Sequence, residues 1–416
     1  MNRSFVVVVP AAAAIVFLIF SATTSAAAAA VTAAAQVPAT SRPATSRPTT
    51  AIPQRDAVIA IMRKAADYQL AEQKKPKPPA PPAKPATKPT TRRTRKPVSR
   101  PATKEYEETD NDWIRATFFP GVMALHDITK DSKYRDAAIE WSEKFKWTPP
   151  GDQRNADRLA CGQTYCELYF LERDPKMIAP FRAAVDRMIE TKKPGRADWW
   201  WCDALFMAPP ALVRLSAATG DPKYTAFMNE LYWDAAYFLH DSEEDLFFRD
   251  RSYFPPRETK NGEKIFWSRG NGWVMGGIAR VLQFLPADDP HRARFVKLHQ
   301  AMAARLLELQ GEDGCWRSSL LDPLEFPAPE TSGTAFFCFS YAWGINNGTL
   351  DRAKYLPATI KAWNALVAKV TPDGKLGHVQ KVAAGPGEVK PEDTHEYAVG
   401  AFLLAGCEIL KLGDAK

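Results

Sequence analysis

The sequence predicts an all-α protein, an (α/α)6 toroid built from six helical hairpins, and three observations lead to this fold class. From Trp113 onward apolar residues recur at helical spacing, whereas strand-like runs bounded by hairpin turns are scarce. A short turn signature recurs between the helical segments. Six of these segments open with small residues, which allow inner helices to crowd around a central axis.

The turn signature is an Asp followed, two or three residues later, by a Lys and then a large side chain. It occurs as Asp131-Ser-Lys-Tyr134, Asp174-Pro-Lys-Met177 and Asp221-Pro-Lys-Tyr224, and more loosely as Asp351-Arg-Ala-Lys-Tyr355. In each copy we expect the Asp to cap the next helix and the Tyr or Met to return to the core. Spacings of 43 and 47 residues between the first three copies fit repeated helical hairpins.

Small residues mark the predicted starts of the inner helices, which are Gly121, Gly162, Ala211, Gly276 with Gly277, Ala335 and Gly400. Helical hairpins must stack on their neighbours to bury their apolar faces, and a closed ring of six does so without a capping unit. The loops before the inner helices then converge at one end of the ring. We expect the chemistry at that end.

The first 54 residues are expected to lie outside this domain. Residues 1–35 have the order of a secretory signal peptide: a charged start, an apolar run over 5–20, and an Ala/Ser/Thr-rich stretch. We expect export to the periplasm or the medium after cleavage between Ala22 and Ala35. An uncleaved anchor is the alternative, because the run is near the short limit for a membrane span. Residues 36–54 form a Pro/Thr/Ser-rich spacer.

The catalytic domain is expected over residues 55–416, with a Pro/Lys/Arg-rich insertion at 74–104. A helical pattern in 55–70 precedes the insertion, so the domain begins before it. The insertion holds nine prolines, eleven Lys or Arg and no acid, whereas the whole chain has a net charge of only +7. We expect an extended, solvated segment. The alternative is contact with an anionic polymer; because the segment lacks aromatic residues, nucleic acid is not expected as a partner.

Composition argues against a cofactor or a metal. The six Cys lack CxxC and Cys/His metal spacing, so most are expected in the core, although one or two disulfides remain possible after export. The chain has no serine nucleophile elbow, no Walker loop and no HExxH motif. Gly270-Asn-Gly272 has the wrong spacing and no preceding strand for a nucleotide-binding loop.

Asp203 is the foremost candidate for catalysis. It follows Trp199-Trp-Trp-Cys, and a wall of three indoles removes water from the carboxylate and favours its neutral form, as a general acid requires. The alternative is an Asp that merely caps the following helix beside core aromatics. Asp157, in the loop before the second inner helix, has the same two interpretations. Because both occupy equivalent places in successive hairpins, we expect two carboxylates to face one pocket.

Other side chains are expected to contact the substrate. Four of them lie in Trp267–Trp273, a glycine-containing loop expected before the fourth inner helix, where glycines let the backbone approach a ligand. Indoles stack on sugar faces, an amide donates and accepts hydrogen bonds, and Arg can bind a carboxylate through a bidentate fork. Thr334 follows Glu330 at the start of the fifth inner helix, which is either a pocket edge or a cap. A lone His is more often structural, so His395 is a weaker candidate. The predicted binding residues are Trp113, Trp201, Trp267, Arg269, Asn271, Trp273, Thr334 and His395.

Five ordered motifs give the chain a family resemblance, which runs from about Asp56 to Leu412 and is interrupted by the insertion. They are Asp157-Arg-Leu-Ala-Cys-Gly, Trp200-Trp-Cys-Asp203-Ala-Leu-Phe-Met-Ala-Pro, Trp267-Ser-Arg-Gly-Asn-Gly-Trp273, Glu330-Thr-Ser-Gly-Thr-Ala335 and Val399-Gly-Ala-Phe-Leu-Leu-Ala-Gly-Cys-Glu408. The chain thereby resembles the unsaturated rhamnogalacturonyl hydrolases of glycoside hydrolase family 105, relatives of the unsaturated glucuronyl hydrolases of family 88.

This resemblance implies an (α/α)6 barrel that removes 4,5-unsaturated uronic acid from the non-reducing end of lyase-generated oligosaccharides. Members hydrate the double bond and leave the anomeric carbon unattacked. By motif match Asp203 would protonate C4 and activate the water that adds at C5, and Asp157 would hold the sugar hydroxyls. The insertion departs from the family pattern, and the residues that select the neighbouring sugar vary, so the resemblance leaves that sugar open.

Two other functions remain open from the residues alone. An inverting glycosidase would use Asp157 and Asp203 as base and acid on saturated glycosides. A non-catalytic carbohydrate-binding surface protein would bind sugar without turnover and use its basic segment as a tether.

Overall fold

Helices dominate the computed structural model, which describes residues 51–75 and 110–414. The α-helices are α1 Arg55–Gln73, α2 Trp113–Ala116, α3 Phe119–Thr129, α4 Ser132–Lys144, α5 Ala156–Leu159, α6 Gly162–Glu172, α7 Ala179–Glu190, α8 Ala204–Met207, α9 Pro209–Thr219, α10 Lys223–Leu239, α11 Ser268–Leu282, α12 Arg292–Glu308, α13 Thr331–Asn346, α14 Arg352–Val367 and α15 Glu396–Asp414. Short 3-10 helices span Pro175–Met177, Gly195–Ala197 and Arg251–Tyr253. Strands β1 His240–Asp241 and β2 Leu246–Phe247 pair antiparallel, with His240 opposite Phe247.

Six long helices form an inner ring, as the sequence predicts. In chain order they are α3, α6, α9, α11, α13 and α15; each contacts the next, and α15 contacts α3 to close the ring. The outer helices α4, α10, α12 and α14 each pack on the inner helix that precedes them or follows them, and α1 packs on α15. The predicted (α/α)6 toroid of six hairpins is confirmed.

The turn signature caps helices as expected. The carboxylate of Asp131 accepts a hydrogen bond from the backbone N–H of Lys133 at the start of α4, and Asp351 accepts one from Lys354 at the start of α14. Asp174 and Asp221 make the same bond two residues ahead. The large residues that close the four copies are all buried: Tyr134, Met177, Tyr224 and Tyr355. Local capping and core packing therefore act together at these turns.

Small residues bring the inner helices into backbone contact. A Cβ atom on Gly400 of α15 would lie 2.3 Å from the carbonyl oxygen of Thr117, and one on Gly121 of α3 would lie 2.4 Å from that of Gly400. No real Cβ occupies such a position, so only glycine permits this crossing. One predicted start is wrong: Gly276 and Gly277 lie in the middle of α11, which begins at Ser268. There Gly277 allows the backbone of Leu205 to approach.

All six cysteines are buried and free of disulfide bonds, which agrees with their predicted place in the core. Within residues 51–75 and 110–414, no helix is long and apolar enough to cross a membrane. The predicted signal peptide, nearly all of the spacer, and residues 76–104 of the insertion lie outside the described residues. The helix predicted before the insertion is present as α1.

Candidate active site

One end of the ring carries both predicted aspartates. Since the inner helices run parallel to one another, their N-terminal ends lie together, and a one-turn helix precedes each of the first three: α2 before α3, α5 before α6 and α8 before α9. Trp113 opens α2, Asp157 lies in α5, and Asp203 immediately precedes α8. Helix α5 contacts both α2 and α8. The fold thus places these three side chains on adjoining elements.

Asp203 is not a helix cap. Its side chain makes no capping hydrogen bond to α8, so that alternative interpretation fails. The carboxylate instead accepts a weak hydrogen bond from the Cys202 thiol at 3.5 Å and faces the Arg249 guanidinium. Trp199 and Trp201 are buried on either side of Trp200, which is 47 % exposed. Of the three indoles before Asp203, two are therefore buried and one is open to solvent.

Asp157 is not a cap either, because Asn155 caps α5 and accepts a hydrogen bond from the backbone N–H of Asp157. Burial, followed by the negative charges of Asp203 and Asp112, raises the pKa of Asp157 well above that of an ordinary aspartate. The interaction with Asp203 shows that the two carboxyls share one electrostatic environment. Asp157 therefore retains its proton at a pH where an ordinary aspartate has lost it.

Two ion pairs with little solvent exposure hold the one-turn helices at this end of the ring. The Arg158 guanidinium lies 3.1 Å from Asp112 and joins α5 to the N-cap of α2. Arg115 of α2 donates to Glu396 at 3.0 Å, which ties α2 to the first turn of α15. Desolvated pairs of this kind are costly to break, because the remaining partner would be left as a buried, uncompensated charge. They hold the one-turn helices in place.

Arg249 is a site residue that the sequence analysis missed, and of the three indoles before Asp203 it chose Trp201 as the substrate contact, whereas Trp200 is the exposed one. Arg249 follows β2, and its backbone carbonyl accepts a hydrogen bond from the N–H of Cys202 at 2.8 Å. Its Nε lies 3.5 Å from Asp203 Oδ2, and its guanidinium lies 5.4 Å from the centroid of the Trp200 ring. Burial lowers the pKa of Arg249, but Asp203 and the hydrogen bond to Asp250 outweigh it, so the net change is upward. Because Arg249 and Asp203 lie far apart in the sequence, no local pattern in the sequence indicated this contact.

The motif Trp267 to Trp273 is helix and not the glycine loop that the sequence suggested. Helix α11 begins at Ser268, and Gly270 and Gly272 allow it to pack tightly against Trp267 and Phe336. Asn271 is fully buried; its side chain accepts from the N–H of Phe247 and donates to the carbonyl of the same residue. Asn271 thereby fixes β2, and with it the start of the segment that carries Arg249.

Arg269 is fully buried as well. Its Nη1 donates to the carbonyl of Gln380 at 2.8 Å and its Nη2 to that of Lys381 at 3.0 Å. The guanidinium also lies over the rings of Trp267 and Tyr397. Trp267 is buried and donates its Nε1–H to Gln380, and Trp273 is fully buried among aromatic rings. These predicted binding residues stand close to the site and make structural contacts there.

The start of the fifth inner helix is a cap, one of the two alternatives that the sequence left open. The Glu330 carboxylate accepts from the backbone N–H groups of Ser332 and Gly333 and from Gln380. Thr334 is fully buried; its hydroxyl donates to the carbonyl of Glu330 and accepts from the N–H of Trp316. Glu330 thereby holds the segment around Gln380 and Lys381, the 380-loop, against the start of α13, and Thr334 attaches Trp316 to the same turn.

His395 and Trp113 both stack on Tyr397. The ring centroids lie 4.7 Å and 5.5 Å from that of Tyr397, and Trp113 also meets the edge of Trp273. Burial and the nearby charge of Arg269 lower the pKa of His395 to about 4, so its imidazole is neutral at neutral pH. This aromatic cluster forms the wall where the first turn of α15 meets α2.

The opposite end of the ring also has a cavity, of about 770 Å³. It is lined by the C-terminal parts of inner helices, with Glu167, Arg214 and Arg280 at one side, and it contains neither Asp157 nor Asp203. In the described parts of the chain, no group of three or more His, Cys, Asp or Glu side chains is arranged to hold a metal ion. The candidate active site is therefore the other end of the ring, where Asp157, Asp203, the Arg249 guanidinium and the exposed Trp200 indole lie.

Comparison with known proteins adds to this geometry. The family model for Glycosyl Hydrolase Family 88 matches residues 88–413, a range that leaves out α1. The chain is 38% identical over 321 residues to the "Unsaturated 3S-rhamnoglycuronyl hydrolase" of Formosa agariphila, covering 73% of this chain and 85% of that protein. A "Glycosyl hydrolase family 88 from Bacteroides vulgatus" has a solved structure with 30% identity and a TM-score of 0.73, covering 86% of this chain and 99% of that one. A solved structure named "Polysaccharide Lyase BACCELL_00875" has 31% identity and a TM-score of 0.74, covering 87% of this chain and 99% of that one.

Proposed function

Because the chain belongs to glycosyl hydrolase family 88, we propose that it removes a 4,5-unsaturated uronic acid from the non-reducing end of oligosaccharides by hydrating the double bond. The observation that carries this function is that Asp157 and Asp203 interact at the same end of the ring, beside an exposed indole, and that burial and Asp203 raise the pKa of Asp157. An alkene carbon needs a proton donor, and the water that adds beside it needs a base. A carboxyl group can take both parts in turn, first as the acid and then as the base.

The proposed mechanism assigns each carboxyl a role. Asp203 delivers its carboxyl proton to C4 and takes one from the water that attacks C5, so a C–H and a C–O bond form as the double bond is lost. The product is a hemiketal at C5, which opens; C1 is then a hemiacetal that releases the neighbouring sugar with its own oxygen. Asp157 binds the hydroxyls of the uronate and supports the proton on the pair.

We propose rhamnose as the neighbouring sugar, because the relative that is 38% identical is named a 3S-rhamnoglycuronyl hydrolase. Trp200 is 47 % exposed, and an indole open to solvent can stack on a sugar.

We further propose that the protein acts after export, in the periplasm or outside the cell, where polysaccharide lyases release such oligosaccharides. Support comes from the signal-like residues 1–35 and from the basic residues of 74–104, which would attract an anionic polymer.

A substrate panel tests the function. Purified protein is incubated with unsaturated disaccharides that carry rhamnose, rhamnose 3-sulfate or an amino sugar, and with their saturated counterparts, and the released sugars are quantified. Release only from the unsaturated members is expected, fastest from the rhamnosides. Cleavage of the saturated members would instead indicate an inverting glycosidase. Formation of new double bonds from polymer would indicate a lyase, the activity for which one structural relative is named.

A further inference from the structure

The cavity at the end of the ring opposite the two aspartates, here named the C-terminal cavity, has polar groups that the proposed reaction does not use. Its volume of about 770 Å³ is in the range of pockets that bind small molecules. All six inner helices contribute to its lining, with Met123 from α3, Glu167 from α6, Arg214 from α9, Arg280 from α11, Phe339 from α13 and Leu404 from α15.

Arg214 holds the helices around this cavity together. Its side chain is 1% exposed, and each of its three nitrogen atoms donates: Nε to Glu167, Nη1 to the carbonyls of Pro210 and Arg280, and Nη2 to Gln283. The C-terminal ends of helices carry partial negative charge, which a buried guanidinium offsets. These contacts give Arg214 a structural role.

Arg280, in contrast, is only partly used. Its Nε donates to Gln163 at 2.7 Å and its Nη2 donates to Glu167 at 2.6 Å, whereas Nη1 has no hydrogen-bond partner among the described residues. The residue is 2% exposed, and it lines the cavity. A guanidinium N–H in this position needs an acceptor from a ligand or from water.

Glu167 has an unused oxygen in the same ion pair. Its Oε1 accepts from Arg214 at 2.9 Å and from Arg280 at 2.6 Å. Its Oε2 accepts from no side chain or backbone group in residues 51–75 and 110–414, and 17% of the side chain is exposed. One ion pair therefore offers the cavity both a donor, Nη1 of Arg280, and an acceptor, Oε2 of Glu167.

Two neighbouring hydroxyl groups of a sugar match this donor and acceptor. One hydroxyl accepts from Arg280 Nη1 while the next donates to Glu167 Oε2, and hydrogen bonds to charged groups are stronger than those between neutral groups. An anion would gain from the guanidinium, but the carboxylate oxygen and the helix C-termini would repel it. The arrangement therefore favours an uncharged sugar.

The ion pair is held in place before any ligand binds. Gln163, whose Oε1 accepts from Arg280, is fully buried and donates through Nε2 to the carbonyl of Phe206 at 3.0 Å. Arg214 fixes Glu167 from the other side. Groups fixed in this way lose little conformational freedom on binding.

We propose that the C-terminal cavity is a second carbohydrate site, which binds an uncharged sugar through adjacent hydroxyls held between Arg280 and Glu167. The site is separate from the candidate active site, and it is independent of the proposed function.

The test measures binding of methyl glycosides by calorimetry and by ligand-observed NMR. The probes are the methyl glycosides of rhamnose, glucose and galactose, together with the methyl glycosides of glucuronic and galacturonic acid as the charged counterparts of the last two. Wild-type protein is compared with Arg280→Gln and with Ala124→Trp, in which an indole fills the cavity from a half-buried position of α3. The matched control is Ala304→Trp, a half-buried position of α12 outside the cavity.

We expect the wild-type protein and Ala304→Trp to bind at least one neutral glycoside with a millimolar Kd. Arg280→Gln should weaken this binding by about 10-fold, as for the loss of one charge-assisted hydrogen bond, and Ala124→Trp should abolish it. A crystal of the wild-type protein soaked in the same glycoside locates the sugar without any substitution, so the test does not depend on the folding of Arg280→Gln.

Three results would overturn the proposal. They are the absence of neutral glycoside binding by the wild-type protein, equal binding by Ala124→Trp and the wild-type protein, and a bound sugar that lies only outside the cavity. Binding of the uronic acid glycosides in the cavity without their neutral counterparts would overturn the assigned ligand. The hydrolase activity is measured separately by the substrate panel, so its failure and the failure of this site are distinguishable.

Discussion

At the scale of single residues, the site depends on two aspartates in different surroundings. Asp157 lies among negative neighbours and gains a raised pKa, whereas Asp203 faces a thiol and a guanidinium. Environments that differ in this way give chemically identical groups different roles, here proton transfer for Asp203 and sugar binding for Asp157. The sequence pointed to both aspartates, because each precedes an inner helix at an equivalent place.

The raised pKa of Asp157 predicts how activity depends on pH. Asp157 keeps its proton as pH rises past the ordinary aspartate value and loses it only at higher pH, where a second negative charge would repel the uronate. We therefore expect kcat/KM to fall on the alkaline side. In Asp157→Asn the rate should be lower throughout, but that alkaline fall should disappear because an amide does not ionise. If the alkaline fall in kcat/KM is the same in the variant, a group other than Asp157 causes it.

The residues that the sequence analysis missed or misplaced have a common physical cause. Arg249 reaches Asp203 only because the short β1–β2 hairpin and the Asn271 clamp turn the chain back toward the site. Arg269 and Asn271 were expected on a glycine loop, but Gly270 and Gly272 serve helix packing, where a missing Cβ admits a neighbouring side chain. Glycine has both uses, and the sequence alone does not tell them apart.

At the scale of the elements, capping and periodicity were predictable because both are local. The Asp of the turn signature bonds a backbone N–H two or three residues ahead, and the helical spacing sets which face is buried. The glycines of α11 lie where Leu205 and Phe336 approach the helix, and both of these residues are distant from α11 in the chain. Such contacts leave no local pattern in the sequence.

The close approach of α3 and α15 gives a prediction at this scale. In Gly400→Ala the new methyl group would lie 2.3 Å from the Thr117 carbonyl oxygen, so the helices must separate. We expect a loss of roughly 1–3 kcal/mol in the free energy of unfolding, typical of overpacking. Gly413→Ala in the same helix is the control, because its Cβ would meet only Ile52 at an ordinary 3.7 Å. Chemical denaturation of both variants measures the difference, and equal stabilities would refute the contact.

At the scale of the whole molecule, closure of the ring makes the site. The one-turn helices before the first three inner helices carry or adjoin Trp113, Asp157 and Asp203, and the pair Arg115 and Glu396 joins α2 to α15 where the ring closes. The ring could be predicted because each hairpin repeats the same local signals. The basic segment follows no such pattern, so its role has to be measured.

Deletion of residues 74–104 is predicted to leave turnover of a disaccharide unchanged. The carboxyl pair and Arg249 make all their described contacts with residues outside this segment. Attachment to an anionic polymer should weaken in the deletion variant, most clearly at low salt where charge attraction is strongest. A large loss of disaccharide turnover would mean that the segment helps to build the pocket.

The most direct test of the central claim, that Asp157 and Asp203 form the catalytic pair of an unsaturated uronyl hydrolase, is the ultraviolet absorbance of the 4,5 double bond over time. Wild-type protein and Asp203→Asn are mixed with the unsaturated rhamnoside, and binding by the variant is checked by calorimetry. The account predicts steady loss of absorbance with the wild-type protein, and binding without loss with Asp203→Asn. Near-normal loss of absorbance in the variant would contradict it.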